Sequence, residues 1–113
     1  MHALIVEDEP LTAFAIRDIL SACGFTSFDF AAEEVHAVEL ALLHPPDLVT
    51  ADVHLRRGTG TGAVSAIAAH APVAVVFVTA DPREVTDDHD APVVTKPVTE
   101  RALQTAIDAA LHH

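Results

Sequence analysis

Glu7, Asp8, Asp52, Thr79 and Lys96 carry most of the chemistry available to this 113-residue chain, and Lys96 is its only lysine. Two like charges about 4 Å apart repel by roughly 4 kcal/mol at an effective dielectric near 20. Three carboxylates facing one ammonium are therefore a poor stabilising arrangement. A hard divalent cation resolves it, because Mg2+ takes carboxylate oxygens and keeps several waters plus a phosphate oxygen. With metal bound, one carboxylate can act as a nucleophile on phosphorus and form an aspartyl-phosphate. That reaction needs charge neutralised on three equatorial phosphoryl oxygens. Mg2+ would take one oxygen, Lys96 another and the Thr79 hydroxyl a third.

These residues matter together only if the fold brings them together. Ala3 to Val6 is a short apolar run ending at Glu7 and Asp8, which reads as a buried strand. Pro10 opens a helix whose apolar face is predicted as Leu11, Phe14, Ala15, Asp18 and Ile19, widened by Ile16, Leu20 and Cys23. Gly24 is the left-handed stop. Thr26 to Ala31 alternates as a second strand with Phe28 and Phe30 on one side. Glu33 to His44 is a second helix, carrying Val35, Val38 and Leu42 and stopped by Pro45-Pro46. Leu48 to Ala51 is a third strand, again ending at an acid, Asp52. The stretch RRGTGTG reads as a flexible loop, and Ala63 to His70 as an alanine-rich helix. Val73 to Val78 is a β-branched run suited to a strand covered on both faces. Asp81 to Ala91 is polar, with at most a turn or two of helix after Pro82. Pro92 to Val94 is a fifth strand, followed by Lys96-Pro97. Thr99 caps a last helix with the stripe Leu103, Ala106, Ile107, Ala110 and Leu111.

Five strand–helix alternations imply an α/β doubly wound parallel sheet over a single domain, residues 1–113. Such sheets bind ligands beyond the carboxyl ends of their strands. All five chemical residues fall there.

Composition excludes other classes. Seventeen acids against six bases give a net charge of −11, which disfavours nucleic acid and anionic membranes as partners. Half the residues are apolar, too many for a disordered chain. No apolar run reaches a membrane span, and MHALIVEDEP lacks the pattern of a signal peptide. A lone Cys23 forms no internal disulfide and reads as a packing residue, consistent with a cytoplasmic protein. Eight histidines match no zinc spacing. Asp87, Asp88 and Asp90 lack the glycine and terminal Glu of a calcium loop. Glu9 reads as a helix N-terminal acid favoured by the dipole, not as a ligand.

Glu7-Asp8, Asp52, Thr79-Ala80 and Lys96-Pro97, in this order at strand ends, resemble the receiver domain of two-component response regulators. The resemblance covers essentially the whole chain. It implies a flavodoxin-like five-stranded sheet in the order 2-1-3-4-5, with helices on both faces. It also implies that Asp52 accepts a phosphoryl group from a sensor histidine kinase or phosphotransfer protein, while Thr79 senses it and Lys96 contacts it. Mg2+ would be held by Glu7, Asp8, Asp52 and the backbone carbonyl of His54, and the Lys96–Pro97 peptide would be cis. A downstream protein target would read the switch, or the domain would drain phosphate from its kinase. Beyond that self-phosphotransfer and its reversal, no enzymatic activity is implied. The segments LIVEDEP, ADVHLRRGTGTGAV and VTADPRE are more narrowly similar to receivers of alphaproteobacterial general-stress signalling.

The chain departs from the family pattern in three places. Arg56 stands where many receivers have proline, so a loop mobile before phosphorylation is expected. The stretch from Thr79 to Lys96 is short, so the fourth helix should be short or disordered. Val93 replaces the usual aromatic switch residue, so the output is expected to work through ordering of Asp81 to Ala91. His54 and Asp81 flank the path of an attacking water and should influence phosphoryl lifetime. The runner-up function is a haloacid-dehalogenase-like phosphatase, which also uses an Asp nucleophile, a Thr or Ser, a Lys and Mg2+. Its nucleophile, however, follows the first strand and its acidic pair comes late. A receiver that has lost phosphorylation is a third reading, opposed by the complete acceptor set.

Overall fold

A computed structural model of the chain describes residues 1–85 and 90–112. Five parallel strands form one sheet: β1 (His2–Val6), β2 (Ser27–Ala31), β3 (Leu48–Asp52), β4 (Ala74–Thr79) and β5 (Val93–Thr95). Their order is β2-β1-β3-β4-β5, as expected. Among the described residues four α-helices connect and flank them: α1 (Pro10–Ala22), α2 (Glu34–Leu43), α3 (Gly60–His70) and α4 (Glu100–Leu111). The direction of winding reverses between β1 and β3, which opens a crevice at their carboxyl ends.

The two sheet faces bury separate cores. Ala3 and Ile5 of β1 and Val76 and Val78 of β4 pack with α1 and α4. Leu4, Val6, Val49, Ala51 and Phe77 pack with α2 and α3. All five residues of β3 are buried, as a strand covered on both faces requires. The register aligns Val6 with Ala51 and Thr79 with Thr95, so the strand ends form one rim.

Several helical details differ from the sequence expectation. The buried stripe of α1 is Ala13, Ile16 and Leu20, whereas Leu11 and Phe14 are exposed. Apolar residues surround much of this helix, so periodicity alone leaves two stripes open, and contact with α4 selects one. Exposed Phe14 instead meets Phe30 edge-on at 6.1 Å, with the Arg17 guanidinium 5.2 Å from its ring centre. In α2 the buried residues are Ala37 and Ala41, while Val35 and Leu42 are exposed. Small side chains let α2 sit close to the sheet. Cys23 is half-buried against the α1–α4 core. Gly24 has the left-handed backbone expected at a helix end, φ +99°. Thr99 caps α4 by accepting from the Ala102 amide at 3.2 Å, and Leu103, Ala106 and Ile107 are buried as expected.

The glycine-rich stretch is more structured than a free loop. Thr59 caps α3 by accepting from the Gly62 amide at 3.0 Å, so the helix begins at Gly60, three residues before the expected start. Gly60 is buried against the backbone of Asp52, and a methyl there would collide with the Asp52 carbonyl oxygen. Gly60→Ala is therefore expected to push β3 and α3 apart at the rim. The expected cost is about 2 kcal/mol or more in urea unfolding, against a gain for an ordinary Gly→Ala inside a helix.

Among the described residues between β4 and β5 lies one 3-10 turn, Pro82–Glu84, capped by Asp81. The short fourth helix thus reduces to one turn over the described residues. Residues 86–89 lie outside them, with the Asp87 and Asp88 of the calcium reading and part of the proposed ordering segment.

Candidate functional site

The rim of the sheet collects the predicted residues. Glu7 follows β1, and its amide donates to the Ala31 carbonyl at 2.9 Å. Asp52 and Thr79 are the last residues of β3 and β4. Lys96 follows β5, and its amide donates to the Thr79 carbonyl at 2.8 Å. The Lys96–Pro97 peptide is cis.

Carboxylate oxygens of Glu7, Asp8 and Asp52 lie within 4.8 Å of one another. Lys96 reaches into this group. Its Nζ is 2.9 Å from Asp52 Oδ2 and 2.9 Å from Glu7 Oε1. Glu9 Oε1 lies 3.2 Å from the same ammonium. Sequence reading missed that contact. Glu9 occupies the cap position of α1, but its side chain does not cap. The EDE run before Pro10 was the available signal, because consecutive residues at a strand end can share one cation.

The charges are largely withdrawn from water. Side-chain exposure is 1% for Glu7, 10% for Asp52 and 17% for Lys96. Burial pushes the Glu7 carboxyl up to about 7, against the opposing pull of the Lys96 ammonium and the hydrogen bond from the Glu9 amide. Burial also works against the Lys96 charge, but the hydrogen bond to Asp52 and the ion pair with Glu7 outweigh it and hold its pKa above the ordinary range. Glu7 Oε1 is fully buried, and its approach to Lys96 lacks good hydrogen-bond geometry. A buried anionic oxygen without a well-aimed donor, beside two further carboxylates, suits a hard divalent cation.

The raised Glu7 pKa has a definite sign in stability. The folded state binds the Glu7 proton more tightly than the unfolded chain. This contribution is complete below about pH 4.5 and is lost as pH rises through about 7. In metal-free buffer the thermal midpoint of the wild type should therefore fall more between pH 5.5 and pH 8 than that of Glu7→Gln. Equal falls in the two proteins would exclude it.

Thr79 is buried, and its hydroxyl closes a small ring with Asp81. Oγ1 accepts from the Asp81 amide and donates to the Asp81 carbonyl, both at 3.2 Å. The Asp81 carboxylate holds Arg83 Nη2 at 2.8 Å and Nε at 2.9 Å. Arg83 lowers the pKa of that carboxyl. The His54 amide donates to Asp52 Oδ1 at 3.3 Å, while its ring meets Glu84 Oε2 at 2.7 Å. His54 and Glu84 thus join the loop after β3 to the 3-10 turn after β4. Glu84 was another residue the sequence did not single out.

His2 and His44 lie at the opposite end of the sheet. Both approach Asp29 Oδ2, at 3.0 and 3.3 Å. Among the described residues, no helix is long and apolar enough to cross a membrane.

Comparison with known proteins accords with this geometry. The family described as Response regulator receiver domain matches residues 3–108. The phyllosphere-induced regulator PhyR of Methylorubrum extorquens is 32% identical over 96% of this chain and 42% of its own length. The receiver domain of PhyR from Erythrobacter litoralis, solved by NMR, superposes with a TM-score of 0.90 at 34% identity, covering 98% of this chain and 89% of that one. A solved PhyR stress response regulator superposes at 0.84 with 35% identity, over 97% of this chain and 44% of that one. The chain spans less than half the length of the curated relatives it matches. The phosphatase alternative finds no support, because the family match and the early acidic pair both point elsewhere. This chain belongs to the response regulator receiver domain family.

Proposed function

We propose that residues 1–113 act as one receiver whose Asp52 carboxylate takes a phosphoryl group from a sensor histidine kinase or phosphotransfer protein. An Asp52 oxygen forms the bond to phosphorus as the bond to the donor's histidine nitrogen breaks. The observation that carries this reading is the meeting of Glu7, Asp8 and Asp52 oxygens within 4.8 Å, with Lys96 bridging Glu7 and Asp52 at 2.9 Å. Glu7, Asp8, Asp52 and the His54 carbonyl are the proposed holders of Mg2+. When bound, Mg2+ supplies charge neutralisation for the incoming phosphoryl oxygens. Lys96 hands its hydrogen bonds from the carboxylates to one phosphoryl oxygen. Thr79 turns its hydroxyl to another, which breaks its ring with Asp81 and lets the segment from Asp81 to Ala91 take up a new order. That reordering offers a switch that needs no aromatic at Val93. His54 and Asp81, beside this mouth, would set the lifetime of the phosphoryl group during autodephosphorylation.

The switch would change a surface read by a downstream protein, or drain phosphate from the kinase. Similarity to PhyR supports a place in general-stress signalling, in the cytoplasm. The test is intact mass after incubation with acetyl phosphate. A single phosphoryl adduct that requires Mg2+ supports the reading, and an adduct equally abundant in EDTA contradicts it.

A further inference from the structure

From the loop after β3, we infer that Glu34, on α2, is a positioning residue for the metal-binding end of the site. This rests on the proposed role of the His54 carbonyl as a metal ligand. Glu34 is the first residue of α2, and its amide donates to the Arg57 carbonyl at 3.1 Å. Its Oε1 accepts from the Thr59 amide at 2.8 Å. Two glycines make room for it. A methyl at Gly58, where φ is +83°, would lie 2.5 Å from Glu34 Cβ. A methyl at Gly62 would lie 2.6 Å from Oε1. The carboxylate therefore fills a cradle left by two absent side chains.

The cradle leads directly to the site. Thr59 pairs with His54 in an isolated antiparallel bridge and caps α3. The next residue, Gly60, donates to the Val53 carbonyl at 2.9 Å and rests on the Asp52 backbone. Holding the Thr59 amide thus holds residues 52–54 in place. The charge also suits the position, since a carboxylate is favoured at the amino ends of both α2 and α3. Arg56 gives this loop no fixed φ of the kind a proline would supply. Glu34 provides the restraint from outside the loop.

The test uses Mg2+ alone, followed by amide NMR titration of the full chain. Glu34→Ala is expected to weaken Mg2+ binding about fivefold, a part of the more than tenfold that a whole hydrogen bond to a charged acceptor is worth, because Glu34 acts on the metal ligands only through Thr59. The Thr59 amide resonance should move in the same variant. Glu34→Gln keeps an oxygen acceptor and should restore affinity to within about twofold of wild type. Gly62→Ala is the second route, because its methyl crowds Oε1 while alanine favours the helix. It should weaken Mg2+ binding with no loss of thermal stability, a combination that a purely structural role would not produce. Unchanged Mg2+ affinity in both Glu34→Ala and Gly62→Ala would overturn the inference. Failure of Asp52 to take a phosphoryl group from acetyl phosphate would instead count against the receiver mechanism, and the Mg2+ titration would still judge Glu34.

Discussion

Asp52→Asn is expected to abolish the phosphoryl adduct while leaving the folded protein intact. The amide is close to isosteric with the carboxylate but lacks its nucleophilic charge. Its oxygen can still accept from the His54 amide, which lies 3.3 Å from Asp52 Oδ1 in the wild type. One of three crowded negative charges disappears at the same time. Two effects then oppose each other: Lys96 loses a charged partner, and Glu7 and Asp8 lose a like-charged neighbour. The net change in metal-free stability should stay within about 1 kcal/mol. Intact mass spectrometry reads the loss of the adduct, and thermal unfolding confirms the fold. A variant that still forms the adduct at the wild-type rate would contradict the assignment.

Lys96→Met should be the most damaging substitution at the rim. Methionine preserves much of the stem but leaves Glu7 and Asp52 without their shared cation. Removing one partner of a buried ion pair typically costs 3–5 kcal/mol. Protonation limits the cost here, because Glu7 already has a pKa of about 7 with Lys96 present. About 2–3 kcal/mol is the expected loss at neutral pH, or roughly a 10 °C fall in the thermal midpoint. The loss should grow with pH, since ionised Glu7 then faces Asp52 without compensation. Phosphoryl uptake should also drop sharply, even at saturating Mg2+, because one phosphoryl oxygen has lost its contact. A variant as stable as wild type at pH 8 would show that the ammonium does little to hold the carboxylates.

The features legible in the sequence share a physical reason. Short apolar runs ending in acids or in Lys-Pro mark strands that finish at the same rim, so Glu7, Asp8, Asp52, Thr79 and Lys96 could be placed together. Capping chemistry is local as well, which is why Gly24 and Thr99 were readable. The misses depend on distant partners. Leu11 and Phe14 fit a helical stripe, but α4 and the sheet meet the stripe of Ala13, Ile16 and Leu20. The loop at Gly58–Gly62 looked free because Glu34, which fills its cradle, lies 25 residues from Thr59 in the chain. Glu9 looked like a dipole acid because its contact with Lys96 spans 87 residues.

Asp52 as the phosphoryl acceptor is tested by locating the phosphoryl group after reaction with acetyl phosphate and Mg2+. Fragmentation of the protein by mass spectrometry at low temperature would do this. One phosphoryl group per chain is expected, carried by Asp52 and absent when Mg2+ is chelated. A phosphoryl group on Asp8, Glu7 or a histidine, with Asp52 unmodified, would contradict it.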